Sequence, residues 1–233
     1  MTAPIISFQN LEKSFGKKKA IDDITLSIPS GRIIGLLGPN GSGKSTLFKL
    51  MNGLLQPTSG QVLIDGTAPS MESKKLISYL PERTYLNDWM KVGDILKFFA
   101  DFYADFDLAK AKEMLKVLKL EEKHPLKTLS KGNKEKVQLI LVMSRRSKVY
   151  LLDEPIGGVD PAARDFILST ILSNYQEDAT MIISTHLISD IEKVFDDVIL
   201  LNQGKIYDYD SVDNIREKNG KSVDELFREV FRC

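Results

Sequence analysis

IIGLLGPNGSGKST, residues Ile33 to Thr46, carries the strongest chemical signal in this chain of 233 residues. An apolar run enters a glycine-rich loop in which Gly38, Gly43, Lys44 and Ser45 match G-x-x-x-x-G-K-[ST]. The pattern has physical meaning when a strand leads in and a helix leads out, and helical residues follow here to about Asn52. Glycines let backbone N–H groups approach phosphates with no Cβ in the way. Lys44 supplies positive charge to the outer phosphates, Ser45 offers its hydroxyl to Mg²⁺, and Thr46 is placed for a further phosphate contact. Pro39, Asn40, Gly41 and Ser42 complete the nucleotide-binding turn.

A phosphate loop needs a metal carboxylate and a group that activates water. VYLLDEP, Val149 to Pro155, offers both. Four apolar residues read as a buried strand, with Asp153 and Glu154 at its C-terminal end, where ligands bind in open α/β sheets. Asp153 is the candidate Mg²⁺ carboxylate and Glu154 the candidate general base. His186 ends a second apolar strand, TMIIST, and could reach the γ-phosphate at the same rim. His124 precedes a proline in a charged loop and reads as structural.

The first thirty-five residues read mostly as strands, punctuated by Gly16, Pro29 and Gly31. GQVLIDG and KKLISYLPE read as further strands. From Trp89 to about Arg146 the periodicity becomes helical, and this region is read as an inserted helical subdomain. Strands and helices then alternate: VYLLDEP, the helix AARDFILSTILSNYQ, TMIISTH, the helix LISDIEKVF, and a hairpin DVILLNQGKI. A helical tail closes the chain. The alternation implies a parallel sheet with helices on its faces.

Within the helical region TLSKGNKEKVQL, Thr128 to Leu139, opens a second helix with small polar residues. Such an N-terminus can also hold an anion. One chain thus carries two helix starts suited to phosphate.

Charges balance at 32 basic and 32 acidic residues, which argues against a dedicated nucleic-acid binder. Lys17 to Lys19 read as a solvated loop. The single cysteine, Cys233, excludes an intrachain disulfide or a thiolate metal cluster and fits a reducing cytosol. The opening residues read as no signal peptide, and no apolar run approaches the ~20 residues that span a bilayer. The chain is read as soluble, so a membrane role would come through a partner.

Taken in order, these motifs resemble the ATP-binding subunits of ABC transporters, from about Ile5 to Ile206. GPNGSGKST looks like the family's phosphate loop, LSKGNKEKVQL its signature stretch and VYLLDEP its Mg²⁺ and catalytic strand. GGVDP, with Asp160, is similar to its D-loop, and STH, with His186, to its switch histidine. Phe15, read as lying in the loop between the first two strands, sits where the family stacks an aromatic on adenine. Two positions depart from the usual pattern. Glu82 in YLPER stands where glutamine is usual, as a candidate Mg²⁺ ligand. In the signature, Lys131 replaces a glycine and Asn133 the glutamine. Both resemble the branch that exports drugs, peptide antibiotics or lipids with separate membrane subunits.

The resemblance implies a phosphate-loop NTPase core with a mainly parallel sheet, an N-terminal antiparallel β subdomain and an inserted α-helical subdomain. It divides the single domain into a core at 1–83 and 147–206, a helical subdomain at 84–146 and a short helical tail at 207–233. It implies ATP and Mg²⁺ as cofactors and ATP hydrolysis as the activity. Partners would be a second copy or a paralogous ATPase subunit, and integral membrane permease subunits, with no nucleic acid. The chain would lie peripherally at the cytoplasmic face of the membrane. Ser130, Lys131, Gly132 and Asn133 would serve the ATP of the facing subunit. An importer subunit remains open, although the tail is too short for the regulatory domain many importers carry. A soluble non-transport ABC ATPase is a further alternative. A phosphate-loop kinase would leave the signature stretch, Asp160 and His186 unexplained.

Overall fold

The computed structural model describes residues 3–157, 161–176 and 178–231, with the side chains of 161–163 outside that description. In chain order the first elements are β1 (Ile6–Phe15), β2 (Lys18–Ile28), β3 (Ile33–Leu37), α1 (Lys44–Met51), β4 (Ser59–Ile64), α2 (Met71–Leu76) and β5 (Ile77–Leu80). The helices α3 (Val92–Phe102), α4 (Leu108–Val117) and α5 (Lys131–Met143) follow. Then come β6 (Val149–Asp153), α6 (Pro161–Asn174), β7 (Thr180–Thr185), α7 (Ile188–Ile191), β8 (Asp197–Asn202), β9 (Lys205–Ser211), α8 (Val212–Asn219) and α9 (Val223–Phe231).

Two sheets result. One is antiparallel in the order β2-β1-β4, and the other runs β5-β6-β7-β3-β8-β9. The second is parallel except for β9, which returns antiparallel along β8. Its central strands are nearly continuous apolar runs, because both faces are covered. The period of two divides each strand between two cores. Tyr150 and Leu152 of β6 join Met181 and Ile183 of β7 in one core with the helices α3 to α5. Val149 and Leu151 join Ile182, Ile34 and Leu36 in the other, against α1 and the antiparallel sheet.

The helical region follows the pattern expected of amphipathic helices. Val92, Ile95, Leu96 and Phe99 of α3 are buried at helical spacing. No side chain caps α3. Instead the amides of Val92 and Gly93 donate to the carbonyls of His124 and Glu122. His124 therefore serves the fold through its backbone. Asp107 caps α4 by accepting from the Lys110 amide at 2.9 Å.

Four local expectations are corrected. The strand read over KKLISYLPE is only Ile77–Leu80, because Lys74 to Leu76 belong to α2. Reciprocal bonds between Ser70 and Ser73 start that helix, a capping box built from two serines. Phe15 is not in a loop; it is the last residue of β1, opposite Lys18. LISDIEKVF is not one helix: α7 stops at Ile191, and Glu192–Val194 tighten into a 3₁₀ turn. That turn places the buried Glu192 carboxylate where it accepts from Arg216 of α8 at 2.7 Å and from the Asp224 amide of α9 at 3.1 Å. Finally, β9 runs to Ser211, into the stretch read as helical tail. Gln203 and Gly204 both have positive φ, 48° and 80°, the geometry of a two-residue hairpin that lets pairing continue.

Arg145, with 3 % exposure, fastens the helical region to the core strand β5. It donates to the Ile77 carbonyl at 2.5 Å and the Lys75 carbonyl at 2.7 Å, pairs with Asp105 at 3.1 Å, and lies over the Tyr103 ring. Arg145→Met leaves those acceptors and the carboxylate without their donor. It should lower unfolding stability by about 3–5 kcal/mol in urea titration. Arg146→Met, at an exposed arginine, should change it by less than ~1 kcal/mol.

Candidate active site

The site forms where β3, β6 and β7 end together. Parallel register places Leu37 beside Thr185 and Asp153 beside Ser184. The alternation of β6 turns Asp153 to the face that Val149 and Leu151 share with α1. Ser184 has the parity of Ile182 and points the same way. Its hydroxyl accordingly donates to Asp153 Oδ1 at 2.6 Å.

The loop between β3 and α1 is shaped by close backbone approach. A Cβ on Gly38 would stand 2.2 Å from the Leu201 carbonyl oxygen. Gly43, the residue that starts α1, has φ 116°, and a Cβ there would meet the Ala20 carbonyl at 2.5 Å. The Ser42 carbonyl accepts from the Gly204 amide at 2.8 Å, so the β8–β9 hairpin props the loop from below. Lys44 is buried and donates to the carbonyls of Gly38 at 2.7 Å and Pro39 at 3.3 Å. Burial pushes its pKa down, and the charges of Glu154, Asp153 and Glu82 oppose that shift.

Asp153 is pushed above the usual carboxylate range by burial. Hydrogen bonds from Ser184 and Ser45 pull it back, while Glu82 raises it and Lys44 lowers it. Glu154 leaves the strand in the left-handed region, with φ 52°. For a residue with a Cβ that conformation costs roughly 1–2 kcal/mol and marks a place where geometry is imposed. The Glu154 amide is held by Ser184, through the backbone oxygen at 3.1 Å and the hydroxyl at 3.0 Å. Its Oε2 lies 2.9 Å from His186 Nδ1.

An open cleft of about 1120 Å³ covers this rim, slightly above the roughly 300–1,000 Å³ usual for ligand sites. Its walls include Phe15, Asn40, Gly41, Gly43, Lys44, Ser45, Thr46, Glu82, Lys131, Glu154 and His186. Gly38, Pro39 and Ser42 shape the loop without lining the cleft. Asp153 lines a neighbouring cavity of about 40 Å³ together with Glu82 and Glu154. Phe15 is half exposed, and the Lys13 ammonium lies 5.2 Å from its ring centre. Ser130 caps α5 by accepting from the Asn133 amide at 3.3 Å, and with Gly132 and Asn133 it stands off the cleft wall. Asp160 and Cys233 lie outside the described residues.

Sequence reasoning missed Ser184, which orients both acidic residues. The hydroxyls of Ser184 and Thr185, interrupting an apolar run just before His186, were the available signal. It read Lys17 to Lys19 as a solvated loop, whereas Lys18 and Lys19 open β2 and Lys18 lines the cleft, and it missed Arg83 on the same wall.

Oxygen donors dominate the rim, and among the described residues no three His, Cys, Asp or Glu side chains form a self-sufficient metal site. That donor set fits Mg²⁺, which takes one or two protein oxygens and fills its sphere with water and substrate phosphates. A phosphate loop, a carboxylate bonded to its serine and a strained glutamate beside a histidine define a nucleotide-hydrolysing P-loop protein.

Comparison with known proteins narrows the class. The ABC transporter family model matches residues 21–157, and the chain belongs to that family of ATP-binding, ATP-hydrolysing cassettes. An uncharacterized ABC transporter ATP-binding protein of Methanocaldococcus jannaschii is 35% identical over 220 residues, covering 92% of this chain and 80% of the relative. The lantibiotic transport ATP-binding protein SrtF of Streptococcus pyogenes is 30% identical over 217 residues, covering 91% and 95%. A solved ATP-binding subunit of an ABC transporter superposes with TM-score 0.86 at 26% identity, covering 97% of this chain and 99% of that one. Among the described residues no helix is long and apolar enough to cross a membrane.

The raised pKa of Asp153 has a consequence for stability. A carboxylate whose folded pKa exceeds its unfolded value weakens folding where it is charged in both states. The weakening is complete above the folded pKa and absent below the unfolded value near 4. Asp153→Asn removes it while keeping an oxygen for the Ser184 hydroxyl. The nucleotide-free variant should melt above the wild type at pH 7, with the gain shrinking as pH falls toward about 4. Melting curves across that range check both the sign and the convergence.

Proposed function

We propose that the chain is the ATPase subunit of an exporter and that it hydrolyses ATP between two facing subunits, with Gly132 as the carrying observation. That glycine lies in the first turn of α5, and glycine is less favourable than alanine in a helix, by up to about 1 kcal/mol in the interior. Its φ is not positive, and no surrounding atom lies within 4 Å of where its Cβ would stand. The described chain gives no packing reason for it. A surface approached closely by a second molecule does.

In this reading Ser130, Lys131, Gly132 and Asn133 close over the nucleotide held by the partner's phosphate loop. The α5 N-terminus and the Lys131 ammonium favour its negative charge. Asp160 would contribute from the D-loop. Within one chain, Phe15 stacks on the base, Lys44 and the loop amides hold the phosphates, and Thr46 adds a further contact. Ser45, Asp153 and Glu82 would hold Mg²⁺, which when bound would supply charge neutralisation for the phosphates. His186 orients Glu154, and Glu154 takes the proton of the water that attacks the γ-phosphorus as the bond to ADP breaks.

The exporter assignment is supported by SrtF and by a probable multidrug ABC transporter ATP-binding protein of Escherichia coli, 30% identical over 97% of this chain and 41% of the relative. Membrane subunits would seat this chain at the cytoplasmic face. The stretch Thr84 to Lys91 borders the proposed seat. Leu86 and Met90 pack on the core, while Tyr85 and Trp89 are exposed, Trp89 at 76 %.

Glu154→Gln should bind ATP yet hydrolyse it about 10²–10⁴-fold more slowly, and accumulate as an ATP-bound dimer on gel filtration. Near wild-type turnover would remove Glu154 from the general-base role.

A second measurement addresses the facing arrangement. Ser130→Arg should bind ATP as a monomer with wild-type affinity and fail to dimerise, whereas Lys44→Ala should lose affinity directly. Collapse of affinity in isolated Ser130→Arg to the level of Lys44→Ala would place the signature in its own chain's site.

A further inference from the structure

α5 is laced to β5 along one face. Gln138 and Val142 stand one turn apart on α5, and Arg145 follows just beyond its C-terminal end. Arg145 donates to the carbonyls of Lys75 and Ile77, Ser78 donates its hydroxyl to the Val142 carbonyl at 2.9 Å, and Gln138 Nε2 donates to the Pro81 carbonyl at 3.3 Å. The helix therefore runs against β5, and the last rung lands one residue before Glu82. Lys131, the first helical residue, lies about 10 Å up the same helix from Gln138, beside Ser130.

Gln138 is an odd choice for a site with 2 % exposure. Its Oε1 is buried and has no partner among the described residues. An unpaired buried oxygen costs about 1–3 kcal/mol, and leucine would fill the space without that cost. Its surroundings point to a reason. Gln138 lines the 40 Å³ cavity shared by Glu82, Asp153 and Glu154, on the floor of the acidic rim.

We infer that Gln138 is a positioning residue that sets Glu82 from the signature helix through the Pro81 carbonyl. The inference rests on the reading of Glu82 as part of the metal site. Engagement of the Ser130 end by a partner's nucleotide displaces α5. The rungs to β5 carry that displacement to the segment that presents Glu82. Hydrolysis then depends on whether the signature is engaged, through a side chain that touches neither nucleotide nor water.

The test is a double-mutant cycle on the full chain, with ATP as substrate. Gln138→Leu should melt no lower than the wild type and keep its ATP affinity while lowering kcat by about 3- to 10-fold, the effect of losing one such hydrogen bond. On a Glu82→Ala background the same substitution should lower kcat no further, because its effect passes through Glu82. Equal losses on both backgrounds, or an unchanged kcat, would overturn the inference. Should the leucine variant melt at a lower temperature, Gln138→Met repeats the cycle with a more adaptable side chain.

If Glu82→Ala alone leaves kcat intact, the reading of Glu82 as a metal ligand fails separately. Amide exchange at Glu82, Arg83 and Thr84 then tests Gln138 on its own. Faster exchange in Gln138→Leu upholds the positioning role, and unchanged exchange rejects it.

Discussion

Burial of the Lys44 ammonium has to be offset by nearby negative charge, and that requirement organises the sheet rim. Two loop carbonyls hold the nitrogen, and Glu154, Asp153 and Glu82 oppose its loss of charge. The carboxylates are themselves costly, as the raised Asp153 shows. Cation and anions are each tolerable because the other is present. Their common position follows from the period of two: one face of β6 and β7 meets α1, and Asp153 and Ser184 project to that face. A polyphosphate entering the cleft meets an ammonium already desolvated and carboxylates already in place, so little reorganisation is left for binding.

Strain is concentrated where chemistry would need it. Glu154 takes a left-handed backbone that glycine would adopt more cheaply, and Ser184 and His186 hold it there. Gly132 and Gln138 are less favourable than simple alternatives in the same sense. One weakens a helix start and the other buries an unpaired oxygen. These are places where local stability is given up for something other than folding.

Much of this was legible in the sequence because it is written locally. The phosphate loop, the acidic end of VYLLDEP and the Ser130 helix start each depend on a few consecutive residues. The alternation of strands and helices followed from apolar periodicity, and the family resemblance added the antiparallel N-terminal sheet. What escaped depends on register or on distant partners. Ser184 matters because β7 pairs with β6 so that it stands beside Asp153. Gln138 is one of several polar residues in TLSKGNKEKVQL, and what sets it apart is its contact with the distant Pro81 carbonyl. α2 escaped because its cap uses Ser73 where a glutamate or glutamine is the usual sign. The extent of β9 turned on positive φ at Gln203, a residue that does not advertise it.

The Glu192 carboxylate gives the C-terminal helices a shared anchor. Arg216 holds it from α8 and the Asp224 amide from α9, and Phe227 adds buried apolar contact behind them. Opening α8 alone would leave a buried carboxylate without its cation, a costly state. Opening α9 alone would remove an amide donor from the same group. The two helices are therefore bound into one cooperative unit, which should exchange its amide hydrogens in a single event rather than by fraying inward from the end of α9.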